Sequence, residues 1–169
     1  MNTARYQGGG AAVVGAGDAN AHRMLVVGGS DRSFRPINSC EVYDATTDCW
    51  AMQEARLPKA MLCLAAPIAG GSAVLAVQGD DQILTRCALL DTRSSSPCWQ
   101  PMASPESAIF YQSVATVGEH SVVLLGVGCT ISRSADATQL YDDRADRWSV
   151  RAEWRLRSPA HTNSAVVLE

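Results

Sequence analysis

The chain has no uninterrupted apolar run of 18 residues, so no segment reads as a transmembrane helix. It has no basic excess either. Fourteen Lys and Arg stand against 17 Asp and Glu, a net charge of −3, whereas nucleic-acid-binding domains are usually basic. Neither a membrane nor a nucleic acid is therefore expected as a partner. No Cys-x-x-Cys pair and no Cys/His spacing of the zinc type occurs, so no metal site is expected. The Gly-x-Ser-x-Gly elbow and the His-Glu-x-x-His helix are missing as well. Residues 1–14 lack the basic start and apolar stretch of a secretory signal. No long Gly/Ser or charged linker divides the chain. Charged residues are scarce, at 18%, while 47% are apolar, which excludes disorder and suits a packed chain of 169 residues.

What is present is a period. Trp50, Trp99 and Trp148 follow one another at intervals of 49 residues. Tyr43-Asp44 lies seven residues before Trp50, and Tyr141-Asp142 lies seven before Trp148. Both stretches read Asp-x-x-x-Asp-x-Trp, through Asp48 and Asp146. The middle copy is degenerate, with Leu90-Asp91 and a link to Trp99 that is two residues longer. A fixed period near 50 marks repeat units that bury their apolar faces only against neighbours.

The upstream half repeats too. Met24-Leu-Val-Val-Gly28-Gly29 recurs as Ala73-Val-Leu-Ala-Val77-Gln78-Gly79 and as Ser121-Val-Val-Leu-Leu-Gly126-Val-Gly128. Each is an apolar run closed by glycine, the pattern of a buried strand ending where the backbone needs positive φ or close approach. Another apolar run precedes each one, at 10–14, 62–68 and 113–117. Four short strands per unit follow, A to D. In the first unit they fall at about 9–14, 23–28, 39–44 and 49–52, with turns at 15–18 and 47–48.

These marks resemble the kelch repeat, whose unit carries a double glycine after strand B, a tyrosine near the end of C and a tryptophan opening D. Here they fall on Gly28, Gly29, Tyr43 and Trp50, and on Gly128, Tyr141 and Trp148. Gly79 and Trp99 mark the middle unit, where Gln78 replaces the first glycine and Leu90 the tyrosine. The resemblance implies an all-β fold, a partial kelch-type β-propeller spanning 1–169. Three four-stranded antiparallel blades are expected at about 8–53, 61–102 and 111–151, plus one strand of a fourth at about 161–168. A ring needs more blades, so a longer parent chain is expected, or other copies completing the circle.

Several sharper readings give way to plainer ones. Ala11 to Asn20 resembles the start of a dinucleotide fingerprint, but Asn20 replaces the third glycine. Only about eight residues remain for a crossover that needs a dozen or more, and a hairpin fits the gap. His22 and His120 are expected at equivalent A–B turns. Asp44, Asp48, Asp142 and Asp146 flank C–D turns, where aspartate commonly bonds its own backbone. Ser94-Ser95-Ser96 reads as the lengthened C–D turn of the middle unit. Cys49 and Cys98 occupy the same place in two units, too far apart for a disulfide. All six cysteines are thus expected as free thiols of a reducing, cytoplasmic compartment.

Function is expected in loops. In such blades the B–C and D–A loops share one end. Arg32, Phe34 and Arg35 lie in the first B–C loop, Arg133 in the third, and Trp154 and Arg155 in the last D–A loop. Arginine beside an aromatic is the composition of interaction hot spots. The resemblance implies a non-catalytic scaffold that captures a protein or peptide through these loops, with no cofactor. The alternative is part of a kelch-like propeller enzyme of the copper radical oxidase or sialic acid mutarotase type.

Overall fold

The computed structural model describes residues 1–15, 18–78, 86–106, 109–128 and 138–154. Twelve strands lie among them, in chain order: β1 (Gly9–Gly15), β2 (Asp18–Val27), β3 (Cys40–Asp44), β4 (Cys49–Met52), β5 (Cys63–Ile68), β6 (Ala73–Gln78), β7 (Cys87–Asp91), β8 (Trp99–Met102), β9 (Ile109–Val117), β10 (Ser121–Gly128), β11 (Thr138–Asp142) and β12 (Arg147–Arg151). The helical pieces among the described residues are two 3₁₀ turns, Ala69–Gly71 and Ala152–Trp154. No helix there is long and apolar enough to cross a membrane.

The strands form three four-stranded sheets, each a meander of consecutive antiparallel strands. Sheet I holds β1–β4, sheet II β5–β8 and sheet III β9–β12. The stretch that resembles a dinucleotide fingerprint is a hairpin, with β1 paired antiparallel to β2 and Gly15 opposite Asp18. His22 lies within β2 rather than at the turn, while His120 does occupy the turn between β9 and β10. Gly126 sits at an irregularity in the β9–β10 ladder, between Leu125 and Val127. The proposed fourth-blade strand at 161–168 lies outside the described residues.

Gly28 and Gly29 need their lack of a side chain. Their φ values are +57° and +93°, the left-handed region that L-residues enter at a cost. A Cβ at Gly28 would stand 2.7 Å from the Met61 carbonyl oxygen, and one at Gly29 would stand 2.5 Å from that of Tyr6. The chain therefore leaves β2 through a gap only glycine fits. The Gly29 amide donates to the Met61 oxygen at 2.9 Å, tying this turn to the segment that leads into sheet II.

Each sheet has a front and a back, fixed by register. Across β2, β3 and β4 the row Met24–Tyr43–Trp50 lies on the front of sheet I, and Leu25–Val42–Ala51 on the back. The equivalent front rows are Val74–Leu90–Trp99 in sheet II and Val122–Tyr141–Trp148 in sheet III. Two cores follow. Val13, Leu25, Val27 and Cys40 from the back of sheet I pack with Val74, Leu90 and Trp99 from the front of sheet II. Ile68, Leu75, Val77 and Cys87 from the back of sheet II pack with Val122, Leu124, Tyr141 and Trp148. The sheets thus stack front to back.

The first strands of the sheets come closest. A Cβ on Gly9 of β1 would meet the Ala65 backbone nitrogen of β5 at 2.6 Å. Threonine hydroxyls bind across the same seams: Thr92 donates to the Val14 carbonyl at 2.9 Å, and Thr116 donates to that of Pro67.

Candidate functional site

The repeat marks form a structural unit. Tyr43 faces Trp50 with ring centroids 5.2 Å apart at 42°, and Tyr141 faces Trp148 at 5.1 Å and 42°. In the middle unit Leu90 takes the tyrosine's place opposite Trp99. Sequence reasoning assigns all four turn aspartates to their own backbone, which is right for half of them. Asp44 Oδ1 accepts from the Thr46 and Thr47 amides, and Asp142 Oδ1 from those of Arg144 and Ala145. Asp48 and Asp146 instead accept the tyrosine hydroxyls, Tyr43 at 2.8 Å and Tyr141 at 3.0 Å. Both sit at positive φ, +52° and +43°. The motif Tyr-Asp-x-x-x-Asp-x-Trp is therefore one closed unit, in which the second aspartate reaches back to the tyrosine.

The B–C loop of sheet I carries the exposed groups. Asp31 builds it: its Oδ1 accepts from the Ser33 amide at 2.7 Å and the Arg35 amide at 3.0 Å. Its amide and carbonyl bond Arg35 and Phe34. This turn holds Phe34 at φ +58° and 77% exposed, with Arg32 and Arg35 exposed on either side. The ring of Tyr6 stacks on Phe34, centroids 5.6 Å apart and planes 20° apart. Tyr6 is itself bridged to Ser30 by two backbone hydrogen bonds of 2.9 and 2.8 Å. Sequence reading missed Tyr6, because nothing periodic links it to a loop 28 positions on.

Trp154 is also exposed, at the end of the 3₁₀ turn after β12. Its carbonyl accepts from the Thr138 hydroxyl at 2.7 Å, and the Arg151 guanidinium lies 5.9 Å from its ring centroid. Arg133 and Arg155 lie outside the described residues, as does Gly79. Phe34 and Trp154 belong to the first and third sheets, and no contact joins them among the described residues.

At the same end as these clusters lies a cavity of about 310 Å³, formed by the linker that leads from sheet I to sheet II and by β7 and β8 of sheet II. Pro58, Met61, Cys87, Ala88, Pro101 and Met102 make it apolar, and Lys59 and Arg86 add two positive charges. A larger groove, about 700 Å³, lies at the opposite end. Its lining is mostly Ala, Val, Gly and Pro, and its one charged residue, Arg23, already pairs with Asp44 at 3.1 Å. That groove offers a ligand little to recognise.

Other chemistry-bearing residues stand apart. Cys40, Cys49, Cys63, Cys87 and Cys98 are free thiols, and Cys129 lies outside the described residues. Burial pushes the Cys63 and Cys87 thiols up to about 12. His120 Nδ1 lies 3.2 Å from a carboxylate oxygen of Asp143. No group of three or more His, Cys, Asp or Glu side chains is placed to hold a metal ion among the described residues. No protein-family model matches the chain, and no curated protein matches it.

Proposed function

We propose that the three sheets are consecutive blades of a kelch-type β-propeller, and that the chain is a non-catalytic scaffold for a protein or peptide partner. The kelch reading is supported by the two Tyr–Trp–Asp units, by the glycine pair leaving β2 and by the front-to-back stacking with β1, β5 and β9 innermost. The front of sheet I then offers Met24, Tyr43, Trp50 and Met52 to a further blade, supplied by more of the chain or by a second copy. A cytoplasmic setting goes with this reading.

One observation carries the partner site: the exposed Tyr6–Phe34 stack flanked by Arg32 and Arg35. A stacked pair on a turn fixed by Asp31 is ordered before any partner arrives, which lowers the entropic cost of binding. Two arginines beside two aromatic faces suit a peptide bearing carboxylates and an aromatic ring. The cationic, apolar cavity beside β7 and β8 of sheet II lies at the same end.

The test is a display screen of peptides rich in acidic and aromatic residues against the purified chain. Arg32→Glu with Arg35→Glu should weaken selected binders at least about tenfold, as should Phe34→Ala, with the fold intact. Binders indifferent to all three changes would remove this loop from consideration.

A further inference from the structure

The middle unit has lost two side chains that the outer units use together. Tyr43 and Tyr141 give their hydroxyls to Asp48 and Asp146, and each aspartate lies two residues before its tryptophan. At the corresponding places sheet II has Leu90, opposite Trp99, and Pro97, two residues before it. The Tyr141 ring is fully buried in the core between sheets II and III. At the seam between sheets I and II the ring and its carboxylate are both missing, and a cavity of about 200 Å³ stands there. Leu90 and Pro97 line it from sheet II and its C–D turn, and Leu25 and Val42 from the back of sheet I.

Its size suits one ring, since an apolar cavity of about 150 Å³ already admits benzene. Arg23, Gln53 and Thr92 add polar groups to the lining, and all three are half-buried, so the cavity reaches solvent. Arg23 pairs with Asp44 at 3.1 Å, so its charge is already met and a ligand carboxylate would face Asp44. The Thr92 hydroxyl donates to the Val14 and Ser72 carbonyls, both at 2.9 Å, which leaves its oxygen as an acceptor. We infer that this cavity is a binding site for a small, uncharged aromatic ring bearing a hydroxyl, a phenol-class molecule seated where the outer units have their tyrosine. The site is separate from the Phe34 loop and does not rest on the function proposed above.

Phenol itself, titrated into the isotope-labelled full chain and followed by amide NMR, is the probe. The amides of Val42, Leu90 and Thr92 should shift and saturate with a Kd on the order of millimolar, the range open to so few atoms. Shifts that do not saturate, or that spread evenly over the three sheets, overturn the inference. Benzoate should bind at least about fivefold more weakly, because its charge meets Asp44. Equal affinity overturns the choice of an uncharged ring. Leu90→Phe puts a ring into the cavity from sheet II and should weaken phenol at least about tenfold, with the rest of the spectrum native. Where Leu90→Phe fails to fold, Val42→Phe fills the cavity from the opposite wall. Undiminished binding by a folded variant of either kind overturns the site.

Discussion

Tyr43 stands directly opposite Trp50 across β3 and β4, its hydroxyl bound to Asp48, and both rings remain half-buried. The same pair in sheet III, Tyr141 and Trp148, is sealed, at 0% and 2% exposure. Local geometry is equal in the two units. What differs is the neighbour: sheet II covers the front of sheet III, and the front of sheet I has no preceding sheet among the described residues.

Even spacing suggests equal energetic weight for the three tryptophans, and the packing says otherwise. Trp148→Ala removes a buried ring and its Nε1 hydrogen bond to the Ala103 carbonyl at 2.9 Å, and should cost about 3–5 kcal/mol. Trp50→Ala should cost roughly 1–2 kcal/mol, because part of its surface is already hydrated. Denaturant midpoints of the two variants decide the matter, and equal losses would mean that the front of sheet I is covered.

At Asp146 two effects separate by substitution. Its Oδ1 accepts both the Tyr141 hydroxyl and the Ala103 amide at 2.9 Å, from a left-handed backbone. Asp146→Ala should lose about 2–3 kcal/mol, while Asp146→Gly loses the acceptor but gains about 1 kcal/mol from relaxed backbone. Alanine should therefore unfold at lower denaturant than glycine, with asparagine close to wild type.

Thiol labelling should follow burial. Cys49 and Cys98 are exposed and should alkylate in the native chain, while Cys63 and Cys87 should wait for denaturant. Raised thiol values also set the alkaline limit. Protonated Cys63 and Cys87 favour the fold fully below the ordinary thiol value of 9.0, and that contribution is lost as pH climbs toward about 12. Titrating the denaturant midpoint above pH 9 against Cys63→Ala, expected to be flatter there, checks the assignment.

Acid should act through Glu41. Burial alone would raise its carboxyl, but the Arg5 guanidinium and the Asn2 and Thr3 amides bring it below the usual value of 4.5. A depressed carboxyl stabilises the fold above its ordinary value and loses that contribution as pH falls through the folded one. Asp44, lowered by the Thr46 amide and by Arg23, works in the same direction. Glu41→Gln should cost about 3–5 kcal/mol near neutrality by leaving Arg5 buried without a counter-ion. It should also flatten the fall in stability below about pH 4.5. An unchanged acid limb would exclude Glu41.

The strands were legible because their signal is local and repeated. Runs expected at 39–44 and 49–52 became Cys40–Asp44 and Cys49–Met52, joined by the turn 45–48 that ends in Asp48. β2 begins at Asp18, five residues before the expected start at 23, because polar residues continue the ladder with β1 as far as the Gly15–Asp18 pair. Arg32, Phe34 and Arg35 could be placed in one loop for the same reason. Arg5 could not be tied to Glu41, nor Tyr6 to Phe34. Those links join residues about 30 positions apart through single side chains, and periodicity carries no trace of them.

Every ladder among the described residues joins strands that follow one another in sequence. Little loop entropy therefore has to be overcome before each sheet begins to form, and an all-β chain of this design should fold quickly for its class. Sheet II alone is covered on both faces by described neighbours, so its amides should be the last to open and sheets I and III the first to fray. The described part is then a short row of coupled units whose centre of gravity, kinetically, is the sheet with the least regular sequence.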